Sequence, residues 1–306
     1  MKWIPHPPSR VLKAAGMTKY FMPYRTNFGD LPKEYAKLET AKIVILPVPY
    51  DGTSTWGKGA DKGPEAIIEA SANMELYDIE TNSEVYKQNI FTAKPVTEKS
   101  SPEKMVEKVK AAVSGFLKKD KLAVTLGGEH SITVGAVAAY AEKYKNLSVL
   151  QLDAHADLRP EYQGWKYGHA SAMSRVREIC PIVQVGIRSL DIIEKPFLEK
   201  GRVFYAENIC NKTDWHDKAI GKLTDKVYVT IDLDVFDPGI LPSTGTPEPG
   251  GLDWYRVLEF LKKVSQKKNI VGFDVVELCP NKNERSSDFL AAKLIYKLLS
   301  YKFSKR

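Results

Sequence analysis

From residue 42 onward the chain alternates two textures. Short aliphatic and β-branched runs at 43–48, 122–126, 147–152, 182–187, 203–205, 227–231 and 270–276 read as buried strands. Between them, apolar residues recur at helical spacing over 63–76, 103–118, 131–144, 171–178, 216–222, 253–267 and 286–301. Strand and helix in turn, with runs apolar on both faces, predict a mainly parallel central sheet covered on both sides, a three-layer α/β/α fold. No repeat, low-complexity tract or Gly/Ser linker divides the chain, so residues 1–306 read as a single domain. The first 40 or so residues, with prolines at 5, 7, 8, 23 and 32, read as an irregular arm.

Punctuation marks where the sheet opens. Gly127 and Gly128 end one run, and Ser131 and Thr133 stand where a helix running to Tyr144 would be capped. Pro238 stops another run, and the loop 239–251 after it is rich in proline and glycine, as a constrained wall would be.

At two run ends the text turns from apolar to acidic. Asp153, His155 and Asp157 follow 147–152, and Asp232 and Asp234 follow 227–231. In extended backbone, side chains two apart point the same way, so these residues form two rows. In a parallel sheet such rows face the crevice beyond the C-terminal strand ends. Of five histidines, His130, His155 and His169 fall within 40 residues of one another. Two imidazoles and four carboxylates make a mixed nitrogen and oxygen donor set that suits Mn²⁺ and, less well, Zn²⁺, Fe²⁺ or Co²⁺. Four buried carboxylates repel one another, and two divalent ions bridged by acids would neutralise them. Such ions, about 3.5 to 4 Å apart, share a water and lower its pKa. The implied chemistry is metal-assisted hydrolysis.

Composition removes competitors. The formal charge of +7 comes from lysines spread along the chain, without the basic, aromatic-interleaved stripe of a nucleic-acid binder. No run approaches the roughly 20 apolar residues that span a bilayer, and the first residues lack a signal peptide's apolar core, so a cytoplasmic protein is expected. Cys180, Cys210 and Cys279 share no CxxC spacing and read as reduced, structural thiols.

Three segments in this order resemble the signatures of the ureohydrolases, the arginase and agmatinase family: Gly-Gly-Glu-His-Ser (127–131), Asp-Ala-His-Ala-Asp (153–157) and Thr-Ile-Asp-Leu-Asp-Val-Phe-Asp-Pro (230–238). The likeness runs from about residue 42, through Tyr-Asp-Gly-Thr-Ser-Thr-Trp-Gly-Lys-Gly (50–59), to near 296. It implies the arginase-like fold and two Mn²⁺ per subunit, one on His130, Asp153, Asp157 and Asp232, the other on Asp153, His155, Asp232 and Asp234. Asp153 and Asp232 would bridge. In the family a bridging hydroxide attacks the guanidinium carbon, releasing urea and an amine. The resemblance gives catalytic roles to Asp234, to Glu277 as the guanidinium's partner, and to His169 as carrier of a proton to the leaving amine. A carboxylate suits the planar fork of a guanidinium, and an imidazole suits proton transfer near neutral pH. The family also implies a homo-oligomer, trimer or hexamer.

The loop after Asp157 separates the family's branches. Leu-Arg-Pro-Glu-Tyr-Gln-Gly-Trp-Lys-Tyr-Gly-His-Ala-Ser (158–171) is similar to agmatinases, as is Gly-Thr-Pro-Glu-Pro-Gly-Gly-Leu (245–252), which makes agmatine, hydrolysed to putrescine and urea, the expected substrate. Arg159 could instead hold a substrate carboxylate, leaving arginine or 4-guanidinobutyrate open. Glu161, Asp191 and Glu248 could meet a distal ammonium. Where many members have Asp, Glu129 precedes the first metal histidine and is expected to orient it. Formiminoglutamate hydrolysis, a zinc deacetylase on a related fold and a non-catalytic relative are the alternatives.

Overall fold

The computed structural model describes residues 27–304, so residues 1–26 of the expected arm lie outside the described residues. Residues 27–40 form 3₁₀ turns at Phe28–Asp30 and Lys33–Tyr35. Phe28 is buried, with its N–H on Thr92 Oγ1 at 2.8 Å.

Eight strands make one sheet: β1 (Ile43–Val48), β2 (Ile90–Thr92), β3 (Leu122–Gly127), β4 (Leu147–Leu152), β5 (Ile182–Ile187), β6 (Val203–Tyr205), β7 (Lys226–Asp232) and β8 (Asn269–Val276). Their order is β2-β1-β3-β8-β7-β4-β5-β6, and every neighbouring pair is parallel. The central strands are almost wholly buried, which is why their sequences are continuous apolar runs rather than alternating ones. β2 escapes the pattern because it is three residues long, half-exposed and paired only with β1.

Helices cover both faces. α2 (Pro102–Leu117), α3 (Ile132–Lys143) and α4 (Ala172–Val176) enclose one apolar core with residues such as Val109, Val137 and Met173. α1 (Gly63–Ser71), the short α5 (Ala206–Ile209) and α6 (His216–Gly221), α7 (Trp254–Lys267) and α8 (Ser286–Phe303) enclose the other with Ile67, Leu261 and Leu298. α2 and α7 start as the residue types predict. Ser101 accepts from Lys104 N–H with proline following it, and Asp253 accepts from Arg256 N–H.

Two expectations shift. α1 ends at Ser71 instead of 76, where the Asn73 amide takes the Glu69 carbonyl that another helical turn would use. Neither Ser131 nor Thr133 caps α3: their hydroxyls donate to Glu129 and Asp274. Among the described residues no helix is long and apolar enough to cross a membrane.

The order carries a consequence for chemistry. The chain leaves β3 and re-enters the sheet at β4, with β8 and β7 between them. The C-terminal ends of these four adjacent strands form one platform, at the kind of crossing where open parallel sheets hold ligands.

Candidate active site

Register delivers the acids to nearly one level. Leu152 pairs with Ile231 and Asp232 with Val276, so Asp153, Asp232 and Glu277 leave three neighbouring strands side by side. The turn carrying His130 comes from β3 and is pinned by Gly128 N–H on Val48 O and Glu129 N–H on Tyr50 O. A Cβ on Gly128 would stand 1.8 Å from the Tyr50 carbonyl oxygen, so only glycine permits that approach.

The two rows meet around His130. Its Nδ1 lies 3.1 Å from Asp153 Oδ2, 3.0 Å from Asp157 Oδ2 and 3.5 Å from Asp232 Oδ2. His155 Nδ1 lies 2.8 Å from Asp234 Oδ2 and 3.7 Å from Asp153 Oδ1. Two potential ion-holding groups result, His130 with Asp153 and Asp157, and Asp153 with His155 and Asp234. They share Asp153. Asp232 stands beside the first and holds Asp234 N–H at 2.9 Å.

Electrostatics shows what the cluster lacks. Among the described residues no lysine or arginine pairs with any of these four aspartates, and buried His130 Nδ1 has no hydrogen-bond partner. Burial and the Asp153 charge push Asp157 up to about 7, and burial with Asp234 and Asp153 pushes Asp232 well up. Burial alone would depress His155, yet Asp234 and Asp153 raise it to about 12. Burial likewise opposes protonation of His130, and its three carboxylate neighbours reverse that. Asp153, between the two imidazoles, is held low by them, while Asp157 and Asp232 are left to rise because among the described residues no lysine or arginine pairs with them. An imidazole nitrogen aimed among three carboxylates, with a second nitrogen and oxygen group sharing one acid, fits divalent ions in place of protons.

Partners behind the ligands fix their directions. His130 Nε2 lies 2.8 Å from Thr230 Oγ1. Thr230 in turn sits within a buried set of Thr133, Asp274 and Tyr228, joined by bonds of 2.9 and 2.7 Å to Asp274. Gln151 donates to Asp153 Oδ2 at 2.7 Å, and Gln184 holds Gln151. Ala154 N–H donates to Asp234 Oδ1. Glu129, expected to orient His130, does something else. Its carboxylate receives Thr53 N–H, Thr53 Oγ1, Ser54 Oγ and Ser131 Oγ, tying the 51–57 segment to the turn.

A cavity of about 310 Å³ opens over the cluster, lined by His155, Asp157, His169, Asp232 and Glu277, and also by Trp56, Arg159, Tyr162, Leu190 and Asp191. Glu277 takes His130 N–H on Oε1 at 2.6 Å. Burial and the Glu129 charge push it well up, against the opposing charge of His130, and among the described residues no lysine or arginine pairs with it. Asp157 and Glu277 both have positive φ, 53° and 65°. For Glu277 the left-handed conformation costs about 1 kcal/mol or more, a strain that tends to persist where a side chain must be aimed.

His169 sits in a 3₁₀ turn, with Nδ1 3.2 Å from Thr53 Oγ1; burial and the neighbouring cationic imidazoles His130 and His155 depress it to about 4. Arg159 is engaged: Nη1 lies 3.1 Å from Asp191 Oδ2 and the guanidinium stacks 4.5 Å from the Tyr162 ring centroid. Glu248 is 3.7 Å from His155 Nε2 and off the cavity lining; Glu161 is exposed and away from it.

Sequence reasoning passed over Arg188. Its guanidinium donates to the carbonyls of Asp234 at 2.6 Å, Glu248 at 2.8 Å and Pro249 at 3.0 Å, fastening the 239–251 wall to a site strand. Thr230 and Gln151 were passed over too. Their signal was a polar residue inside an otherwise apolar strand, which must find a buried partner.

Comparison with known proteins places this arrangement. A sequence model of the Arginase family matches residues 41–300. The chain is 37% identical over 291 residues to the N(1)-aminopropylagmatine ureohydrolase of Synechocystis sp., covering 90% of this chain and 95% of that protein. It is 38% identical over 282 residues to the protein of the same name from Thermus thermophilus, covering 91% and 95%. The crystal structure of the agmatine ureohydrolase of Thermoplasma volcanium superimposes with a TM-score of 0.80 at 30% identity, over 92% of this chain and 95% of that one. The family match and the shared architecture agree: the chain belongs to the arginase family, as an agmatinase-like ureohydrolase, a hydrolase acting on guanidino compounds.

Proposed function

We propose that this chain hydrolyses agmatine to urea and putrescine, with two Mn²⁺ held by His130, Asp153, Asp157, His155, Asp232 and Asp234. The observation that carries the reading is one cavity in which an acid cluster short of positive charge adjoins Glu277, a carboxylate with strained backbone that among the described residues no lysine or arginine pairs with. When bound, the ions would neutralise the aspartates and activate a water for attack. Asp153, common to both groups, and Asp232, beside the first, would be the shared acids.

The chain's own groups do the rest. Glu277 holds the guanidinium, whose N–H donors match a carboxylate. As oxygen bonds to the guanidinium carbon, Asp234 takes one of its protons, and His169 serves the amine nitrogen as the C–N bond breaks. The electron pair of that bond stays on nitrogen. Both water protons end on the departing amine, so guanidinium and water become urea and an ammonium.

An amine tail, rather than a carboxylate one, is supported by Arg159, whose charge already meets Asp191 and Tyr162. The names of the two relatives favour a second reading, N(1)-aminopropylagmatine, in the same cavity. A urea-release assay with manganese over agmatine, N(1)-aminopropylagmatine, arginine, 4-guanidinobutyrate and formiminoglutamate decides. Agmatine should turn over with the highest kcat/KM; no agmatine turnover sinks the first reading. The proposal includes a homo-oligomer, trimer or hexamer, which light scattering would count.

A further inference from the structure

Thr53, in the segment after β1, is buried, and its hydroxyl is fully committed. It donates to Glu129 Oε1 at 2.7 Å, accepts the His169 backbone N–H at 3.0 Å and lies 3.2 Å from His169 Nδ1. A hydroxyl has one proton and two lone pairs. The Glu129 carboxylate is surrounded by donors, from Thr53 N–H at 2.7 Å and Ser131 Oγ at 2.6 Å as well as Thr53 Oγ1, so it accepts the threonine's proton. The His169 N–H can only donate, which uses one lone pair. What remains for Nδ1 is the other lone pair. Nδ1 must therefore carry a hydrogen, and a neutral imidazole has only one.

We propose that Thr53 is a positioning residue that holds neutral His169 in the Nδ1–H tautomer, leaving Nε2 bare as the atom that handles the leaving amine's proton. His169 lines the cavity, and among the described residues Nε2 has no hydrogen-bond partner, so its lone pair is open to substrate. The Tyr162 ring also meets the imidazole edge-on, at 6.0 Å between centroids. In the reaction Nε2 takes one proton from the attacking water and passes it to the amine nitrogen as the C–N bond breaks, and the ring returns to its starting tautomer. A ring with hydrogen on Nε2 instead would present a donor where that first proton must be received. This inference rests on the role given to His169 above. It adds that the ring's readiness is set from outside the cavity, by a threonine anchored to Glu129.

The test joins a spectroscopic and a kinetic readout. In enzyme labelled with ¹⁵N-histidine and loaded with zinc as a diamagnetic ion, the His169 ring nitrogens, assigned by their loss in H169N, should show a protonated Nδ1 and an unprotonated Nε2. In Thr53→Val the tautomers should mix or invert. With manganese and agmatine, Thr53→Val should lower kcat by roughly 10- to 100-fold, with KM within about threefold and metal content unchanged. Thr53→Ser, which keeps the hydroxyl, should stay within about threefold of the parent. A wild-type ring protonated at Nε2 overturns the inference. So does a Thr53→Val enzyme with parental kcat, or one whose only change is in KM. The tautomer measurement needs no turnover, so it decides the point even if agmatine proves not to be the substrate, and wild-type spectra decide it even if Thr53→Val does not fold.

Discussion

Two groups of acids in this molecule, one around buried Asp78 and exposed Glu80 and one at the strand ends, have been given opposite company. Asp78 and Glu80, after α1, face α7 and α8. There Lys297 Nζ lies 2.9 Å from Asp78 and 2.6 Å from Glu80, Lys262 reaches Glu80 at 2.8 Å, and the Tyr301 hydroxyl donates to it at 2.5 Å. Burial would raise both carboxyls, but these partners win: Asp78 is lowered and Glu80 falls to about 2. At the strand ends burial wins at Asp157, Asp232 and Glu277, because the chain supplies only imidazoles. The first group locks a loop to two helices with charge the chain brings itself. The second is left short of positive charge, and that shortage is what a dication and a guanidinium can fill.

The contrast breaks most sharply at Asp232. Asp232→Ala removes an acid that we propose is shared, so we expect urea release to fall by more than the roughly 10- to 100-fold that loss of an outer partner costs, with manganese content reduced more than in His155→Ala. Equal metal content in the two variants would argue against sharing. At the paired acids, Lys297→Met leaves Asp78 buried without its cation and should cost about 3 to 5 kcal/mol in urea denaturation, while metal content and turnover per folded molecule hold. A loss of metal there would erase the distinction between the groups. Glu277→Gln should lower kcat/KM for agmatine by about 10- to 100-fold with both ions retained, as loss of a charged hydrogen-bond partner does. Thr230→Val frees the His130 ring and should weaken metal affinity by roughly 10-fold or more, read by manganese titration.

The smallest effect has a sign that differs between the groups. Glu80 is lower when folded than its ordinary 4.5, so its contribution is present above that value and lost as pH falls toward about 2. Asp157 in the metal-free protein is higher when folded, about 7 against 3.8, so its contribution is present below 3.8 and lost as pH rises toward 7. Melting of chelated protein should therefore soften with rising pH between about 4 and 7 relative to an Asp157→Asn variant, while a Glu80→Gln variant diverges from the parent only above about pH 2 and most fully above 4.5. Parallel curves for Asp157→Asn and its parent would refute the first expectation.

Much of this was legible because parallel strands advertise themselves. Runs such as Leu147–Leu152 are apolar on both faces, and the acids follow at once, so the sheet and both ligand rows could be read from residue order. Histidine clustering pointed to His130 and His169, but their roles and Glu277 were reached through resemblance, since nothing local shows that a turn after β3, the end of β8 and a loop before α4 share one cavity. Edge strand β2 and the four-residue α5 were too short to leave a periodic signal. The partners behind the ligands were missed for a different reason. Thr53, Thr230 and Arg188 act through contacts far apart in sequence, 116 residues between Thr53 and His169 and 100 between His130 and Thr230, and Gln151, though two residues from Asp153, is itself held by Gln184, 33 residues on. A buried polar residue declares that it needs a partner without saying which. Glu129 shows the cost: its neighbour in sequence was assumed to be its neighbour in function, and its carboxylate faces Thr53 instead.

The central claim is that the unpaired acids are a place for two ions serving one guanidinium. The most direct test strips the protein with chelator and follows urea release from agmatine as Mn²⁺ is returned in counted equivalents. Stripped protein should release no urea, and activity should rise to a plateau at two equivalents per chain. Urea release that survives stripping, or that is complete at one equivalent, would contradict it.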